Sequence, residues 1–160
     1  MARHRAVALA AVALVALAVA PAVPTGRTLV VADTETGETY LHTPVENGTT
    51  VTLAYTHSVE KTPVRDVYVV DDDRLVATRM TFESYGWGLP SRANVTREDG
   101  HFVYDPPGAH NRLTVAPGGV AGHRLHVGDR RYDLVELTDE RSVDIHITRR
   151  SAVAAAADSL

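Results

Sequence analysis

From about residue 25 onward the chain alternates. Val51, Leu53 and Tyr55 occupy one set of positions and Thr50, Thr52 and Ala54 the other, the two-residue period of a strand with one buried face. Val143, Ile145 and Ile147 alternate with Asp144, His146 and Thr148 in the same way, the cleanest half-buried strand in the sequence. Short runs rich in Val, Thr, Tyr and Leu also cover 28–32, 38–42, 64–70, 75–82, 101–104, 112–115, 124–127 and 131–137, bounded by Gly, Pro, Asn or Asp. Asp33 to Gly37 and Asp71-Asp72-Asp73 read as hairpin turns. No stretch shows the helical period with matching caps, and no internal repeat is present. About ten short strands at close spacing predict an all-β fold, an antiparallel β-sandwich or barrel-like domain.

The first residues follow a different pattern. Arg3, His4 and Arg5 precede an uncharged apolar run from Ala6 to Ala20, the arrangement that export machinery reads. Two fates fit it. A signal peptide would be cleaved most readily after Ala20-Pro21-Ala22, because Pro21 follows the alternative small-residue site directly. An uncleaved anchor is the other, since the run through Val23 approaches the minimum span at about 1.5 Å per residue. The expected organisation is a signal or anchor helix over 1–24, a β-domain over 25–148 and a flexible tail over 149–160. The domain is expected outside the cytoplasm, secreted or held at the cell membrane.

Composition narrows the chemistry. With 0 Cys among 160 residues, neither disulfides nor thiolate chemistry is available, and the core must hold the fold alone. Removing Arg3 and Arg5 from the 16 basic residues leaves 14 against 20 acidic ones, a net charge of −6. That balance argues against nucleic acid or an anionic membrane surface as partner. Lys61 is the single Lys, and an acidic, Lys-poor surface suits high salt, although a GC-rich genome gives the same bias.

Candidate chemistry concentrates in two segments, Tyr55 to Asp66 and Phe82 to Pro90. Adjacent side chains of a strand point to opposite faces, so His57 is poorly placed to activate Ser58, and no Gly-x-Ser-x-Gly elbow is present. No catalytic residue is therefore assigned. His57, Asp66 and Glu83 sit on successive strand-like segments and are expected to converge as a polar cluster. His123 and His126 lie an odd number of positions apart and face away from each other, so no ligand set at metal spacing arises. No metal or cofactor is expected. Gly86, Trp87 and Gly88 form a shape element ahead of Pro90, with Trp87 a core plug or a stacking surface. The expected binding residues are His57, Ser58, Glu60, Asp66, Glu83, Gly86, Trp87 and Gly88.

The run Tyr55-Thr56-His57-Ser58-Val59-Glu60-Lys61-Thr62-Pro63-Val64-Arg65-Asp66, followed by Glu83-Ser84-Tyr85-Gly86-Trp87-Gly88-Leu89-Pro90, resembles domain of unknown function family 1850. The positions that carry the resemblance are His57, Ser58, Val59, Glu60, Asp66, Gly86, Gly88 and Leu89. Asp66 stands where the family pattern usually has Glu, and Trp87 where a small residue is more usual. The resemblance implies a small exported accessory of a tripartite ATP-independent periplasmic (TRAP) transporter of the TAXI type, touching its solute-binding protein or its permease. Two other readings stay open at this point: a metal-dependent hydrolase at His57, Asp66 and Glu83, and a structural cell-surface domain.

Overall fold

The computed structural model describes residues 24–84 and 94–151. The expected helix over 1–24 and the Gly86-Trp87-Gly88 loop thus fall almost wholly outside the described residues, as does the expected tail over 149–160 except for 149–151, which end the last strand. One compact unit comprises Gly26–Arg149. A second unit pairs Met1–Thr25 with Arg150–Leu160, of which only residues 24, 25, 150 and 151 are described.

Among the described residues, twelve strands and one short helix follow in order: β1 (Pro24–Asp33), β2 (Thr39–Val45), β3 (Thr50–Thr56), β4 (Pro63–Asp71), β5 (Arg74–Phe82), β6 (Thr96–Glu98), β7 (His101–Tyr104), β8 (Ala109–His110), β9 (Arg112–Val115), β10 (Arg124–Val127), β11 (Arg130–Asp133), α1 (Leu134–Thr138) and β12 (Val143–Ser151). They form two sheets, one in the order β2-β1-β12-β9 and one in the order β11-β10-β3-β4-β5-β7-β6, with β8 pairing β5. The fold is an all-β, mainly antiparallel sandwich, as the alternation predicts. Among the described residues no helix is long and apolar enough to cross a membrane.

Alternation decides which side chains meet between the sheets. Leu29, Val31, Val143, Ile145 and Ile147 of the small sheet pack against Val51, Leu53, Val70, Leu75, Leu125 and Val127 of the large one. Fully burying each such side chain contributes roughly 1.5–3 kcal/mol. A smaller cluster at the β4-β5-β7 side centres on Val64 and Phe82, and Tyr55 touches both clusters.

The strand expected over 131–137 is half wrong. β11 stops at Asp133, whose carboxylate accepts hydrogen bonds from the backbone N–H groups of Val135 at 3.0 Å and Glu136 at 3.3 Å. That N-cap starts α1, and Asp139 ends it in the left-handed region at φ 50°. The helix is too short to show a helical period, so the apolar Leu134-Val135 pair reads as strand.

Polar ties fix the small sheet. The Asp33 carboxylate accepts from the N–H groups of Glu35 and Thr36, from the Tyr40 hydroxyl and from Arg141. Arg141 and those amides hold the Asp33 carboxyl well below the usual carboxylate range. Thr43, buried on β2, accepts from Arg130 at 2.7 Å and Tyr132 at 3.2 Å, linking β2 to β11 of the other sheet.

The turns gather at two poles. At one, Asn47 accepts from the Asp72 N–H and Arg27 pairs with Asp72, so the entry to β1 lies beside the β4–β5 hairpin. β3 then runs about 23 Å, at roughly 3.3 Å per residue, to the other pole. There the Thr56 N–H donates to the Ala121 carbonyl at 2.7 Å and the Gly119 N–H to Glu140.

Face assignment gives a direct test. Leu29→Ala in the sealed core is expected to cost about 2–5 kcal/mol in urea denaturation at constant m-value. Val67→Ala, on the open face of the large sheet, is expected to cost less than about 1 kcal/mol.

Candidate functional site

The first motif segment folds as the end of β3, a tight turn and the start of β4. The His57 N–H donates to the Thr62 carbonyl at 2.8 Å, and the Lys61 N–H to the His57 carbonyl at 2.9 Å. Lys61 takes φ 59°, which closes the turn. The His57 ring is buried, and its Nδ1 accepts the Glu60 N–H at 3.2 Å. A ring nitrogen so engaged is not at the same time a base for Ser58, which is exposed on the turn with Val59 and Glu60. His57 organises the turn; Ser58, Val59 and Glu60 form its outer surface.

Asp66 stands elsewhere. It is directly opposite Leu53 on β3 and Met80 on β5, on the inward face. His57 lies four positions past Leu53, about 13 Å along the strand direction. Burial pushes the Asp66 carboxyl up to about 6, while hydrogen bonding to Tyr55 works the other way. Its charge and burial in turn raise the neighbouring phenols, burial being the larger cause, with Tyr68 pushed up to about 12. His123 stacks on Tyr55 at 5.2 Å between ring centroids, and burial lowers its pKa.

Glu83 goes to the opposite face. Phe82 pairs with Val64 on the inside, so the next residue along β5 turns outward. Glu83 borders an outer cavity of about 420 Å³ with Arg65, Arg79, Thr81 and His101, and lies 3.8 Å from the His101 ring. The expected convergence of His57, Asp66 and Glu83 is therefore not found: one caps a turn, one is half-buried on the inward face, one faces out. Among the described residues no group of three His, Asp or Glu is arranged to hold a metal. Gly86, Trp87 and Gly88 lie outside the described residues. The last described residue before them is Ser84, whose hydroxyl lies 2.9 Å from that of Thr62 on the His57 turn.

What comes together instead is Asp66 with Tyr55 and Tyr68. The signal for it was parity: Val64, Asp66, Tyr68 and Val70 share one face of β4, matching Val51, Leu53 and Tyr55 across the ladder. Near the second pole, the turn at 118–122 packs beside the His57 turn. Val59 at 66% and Val120 at 71% exposure are the large apolar side chains left in solvent among the described residues.

The Asp66 shift predicts a pH signature. A carboxyl near 6 in the folded state, against about 3.9 unfolded, binds its proton more tightly when folded. Its contribution favours folding below about pH 4 and is lost as pH rises through 6. Asp66→Asn should remove that slope, gaining on the order of 2 kcal/mol over the parent between pH 4 and pH 7 in paired urea titrations. Parallel stability curves for the two proteins would show that Asp66 ionises as it does in water.

Comparison with known proteins places this framework. The family described as Domain of unknown function (DUF1850) matches residues 51–134. No curated protein and no solved structure matches the chain. The matched span runs from β3 to the first residue of α1, so it holds essentially the whole eight-stranded sheet and only β9 of the other. With more than half its length in that match, the chain belongs to the DUF1850 family.

Proposed function

We propose that this domain is a non-enzymatic, extracytoplasmic accessory of a TAXI-type TRAP transporter, docking on the permease or the solute-binding protein through the pole that carries the His57 turn. The transporter class follows from the family resemblance. One observation carries the docking geometry: Val59 and Val120, both largely in solvent, sit on adjacent turns joined by the Thr56–Ala121 hydrogen bond. Exposed valines scattered singly need no explanation, but two on neighbouring turn tips make an apolar contact point. His57 supports it by fixing the turn from beneath. The same pole lies at the opposite end of β3 from the Arg27–Asp72 pair.

The test is co-purification of the full-length chain with the transporter subunits from solubilised membranes. Val59→Asp combined with Val120→Asp is expected to lower recovery of the permease and binding protein at least about tenfold, with an unchanged melting temperature because both side chains are exposed. Equal recovery with the double variant, or none with the parent, would rule the reading out.

A further inference from the structure

We infer that the open face of the eight-stranded sheet is a docking surface for an acidic partner protein. This inference does not rest on the transporter reading or on the Val59–Val120 pole. Cross-strand register assembles the face from residues far apart in sequence. Ala54 lies opposite Arg65 on one side and Arg124 on the other, and Thr52 lies opposite Val67 and His126. Arg131 faces His126, and Arg79 faces Val67. Directly opposed residues share a face, so Arg65, Arg79, Arg124 and Arg131 all project outward with His126 among them. All four Arg are exposed.

Around His126 the field is positive in a chain whose net charge is −4, while Glu83, Glu98 and Asp99 line the Arg65–Arg79 end of the face. His126 reports it: burial lowers its pKa first, and Arg131, Arg65 and Arg124 then lower it further. Two of the arginines are held by carboxylates, Arg79 by Glu98 and Arg124 by Asp133. Arg65 and Arg131 are in no ion pair among the described residues, leaving two guanidinium forks to take carboxylates bidentately. Val67, Val69 and Val76 occupy the same face and are only half-buried, giving an apolar strip between the charges. A flat apolar strip edged by arginine is the make-up of a protein–protein contact. A lipid or nucleic-acid surface would instead call for a uniformly basic face on a basic protein.

Poly-L-glutamate serves as the probe, since a chain of net −4 has no overall reason to bind a polyanion. Fluorescence anisotropy with the full chain in low salt should show saturable binding that weakens at least tenfold by 0.3 M salt, as screening shortens the reach of the charges. Arg65→Glu with Arg124→Glu should abolish it, and Arg65→Gln with Arg124→Gln should weaken it about tenfold. Lys61→Glu with Arg149→Glu, an equal change in net charge on the β3–β4 turn and on the other sheet, should leave binding within about twofold of the parent. Circular dichroism of each variant confirms the fold. No binding by the parent, or equal loss in the Lys61/Arg149 control, would overturn the inference. So would tighter binding to phosphatidylglycerol vesicles than to poly-L-glutamate, or a dimer in solution that the Arg65/Arg124 variant abolishes.

Discussion

The pleat of the β3–β4–β5 meander is the constraint from which the rest of the molecule follows. β3 pairs with β4 without a slip from Thr50–Val69 to Thr56–Pro63. Neighbours in sequence are therefore sent to opposite environments: Val64, Asp66 and Tyr68 inward, Arg65 and Val67 outward. A slip of one residue would bury Arg65 beside Phe82 and expose Val64, which the apolar seal between the sheets forbids. The single bulge between Val67 and Tyr68 comes after this critical stretch, toward the hairpin at Asp71–Arg74.

Against that rigid centre, polar ties secure the margins. Asp33 gathers two backbone amides, a phenol and a guanidinium around one carboxylate, so the β1–β2 hairpin and the segment entering β12 are held as a unit. Thr43 performs the corresponding role between β2 and β11. Arg27 and Asp72 tie the chain's entry to the far hairpin. The Asp33 and Arg27 contacts lie at the ends of the sandwich, where turns leave backbone groups in need of partners, and the Thr43 contacts along its β2–β11 edge, while the middle is held by apolar packing.

Alternation made the sandwich legible, because a period of two survives in any window of five or six residues. The helix at Leu134–Thr138 escaped because its only sequence mark is the Asp133 cap, and one turn carries no period. β6 and β8 escaped because two or three exposed residues bury nothing. The site was legible in part. Tyr55 to Asp66 does house a buried His and a half-buried carboxyl, but adjacency in sequence suggested a convergence that strand length and pleat direction prevent. Parity alone would have separated Asp66 from Glu83. The links Asp33–Arg141 and Arg65–Ala54–Arg124 were beyond reach, since each depends on which strands become neighbours.

Net charge shows the same gap between counting and placing. An acidic total argues against anionic partners only if the charges are spread evenly, and here they are not. His126 and Arg131 are directly opposed across β10 and β11, and Arg124 and Arg65 flank Ala54 two strands apart, about 9–10 Å at strand spacing. That separation slightly exceeds the Debye length of about 8 Å at physiological salt, so screening leaves only a part of the mutual repulsion to work against folding. Threonine at these positions would suit the pleat equally well and repel nothing. The sheet therefore tolerates an electrostatic cost on its open face that its own stability does not require, and a carboxylate-bearing partner is the occupant that would relieve it.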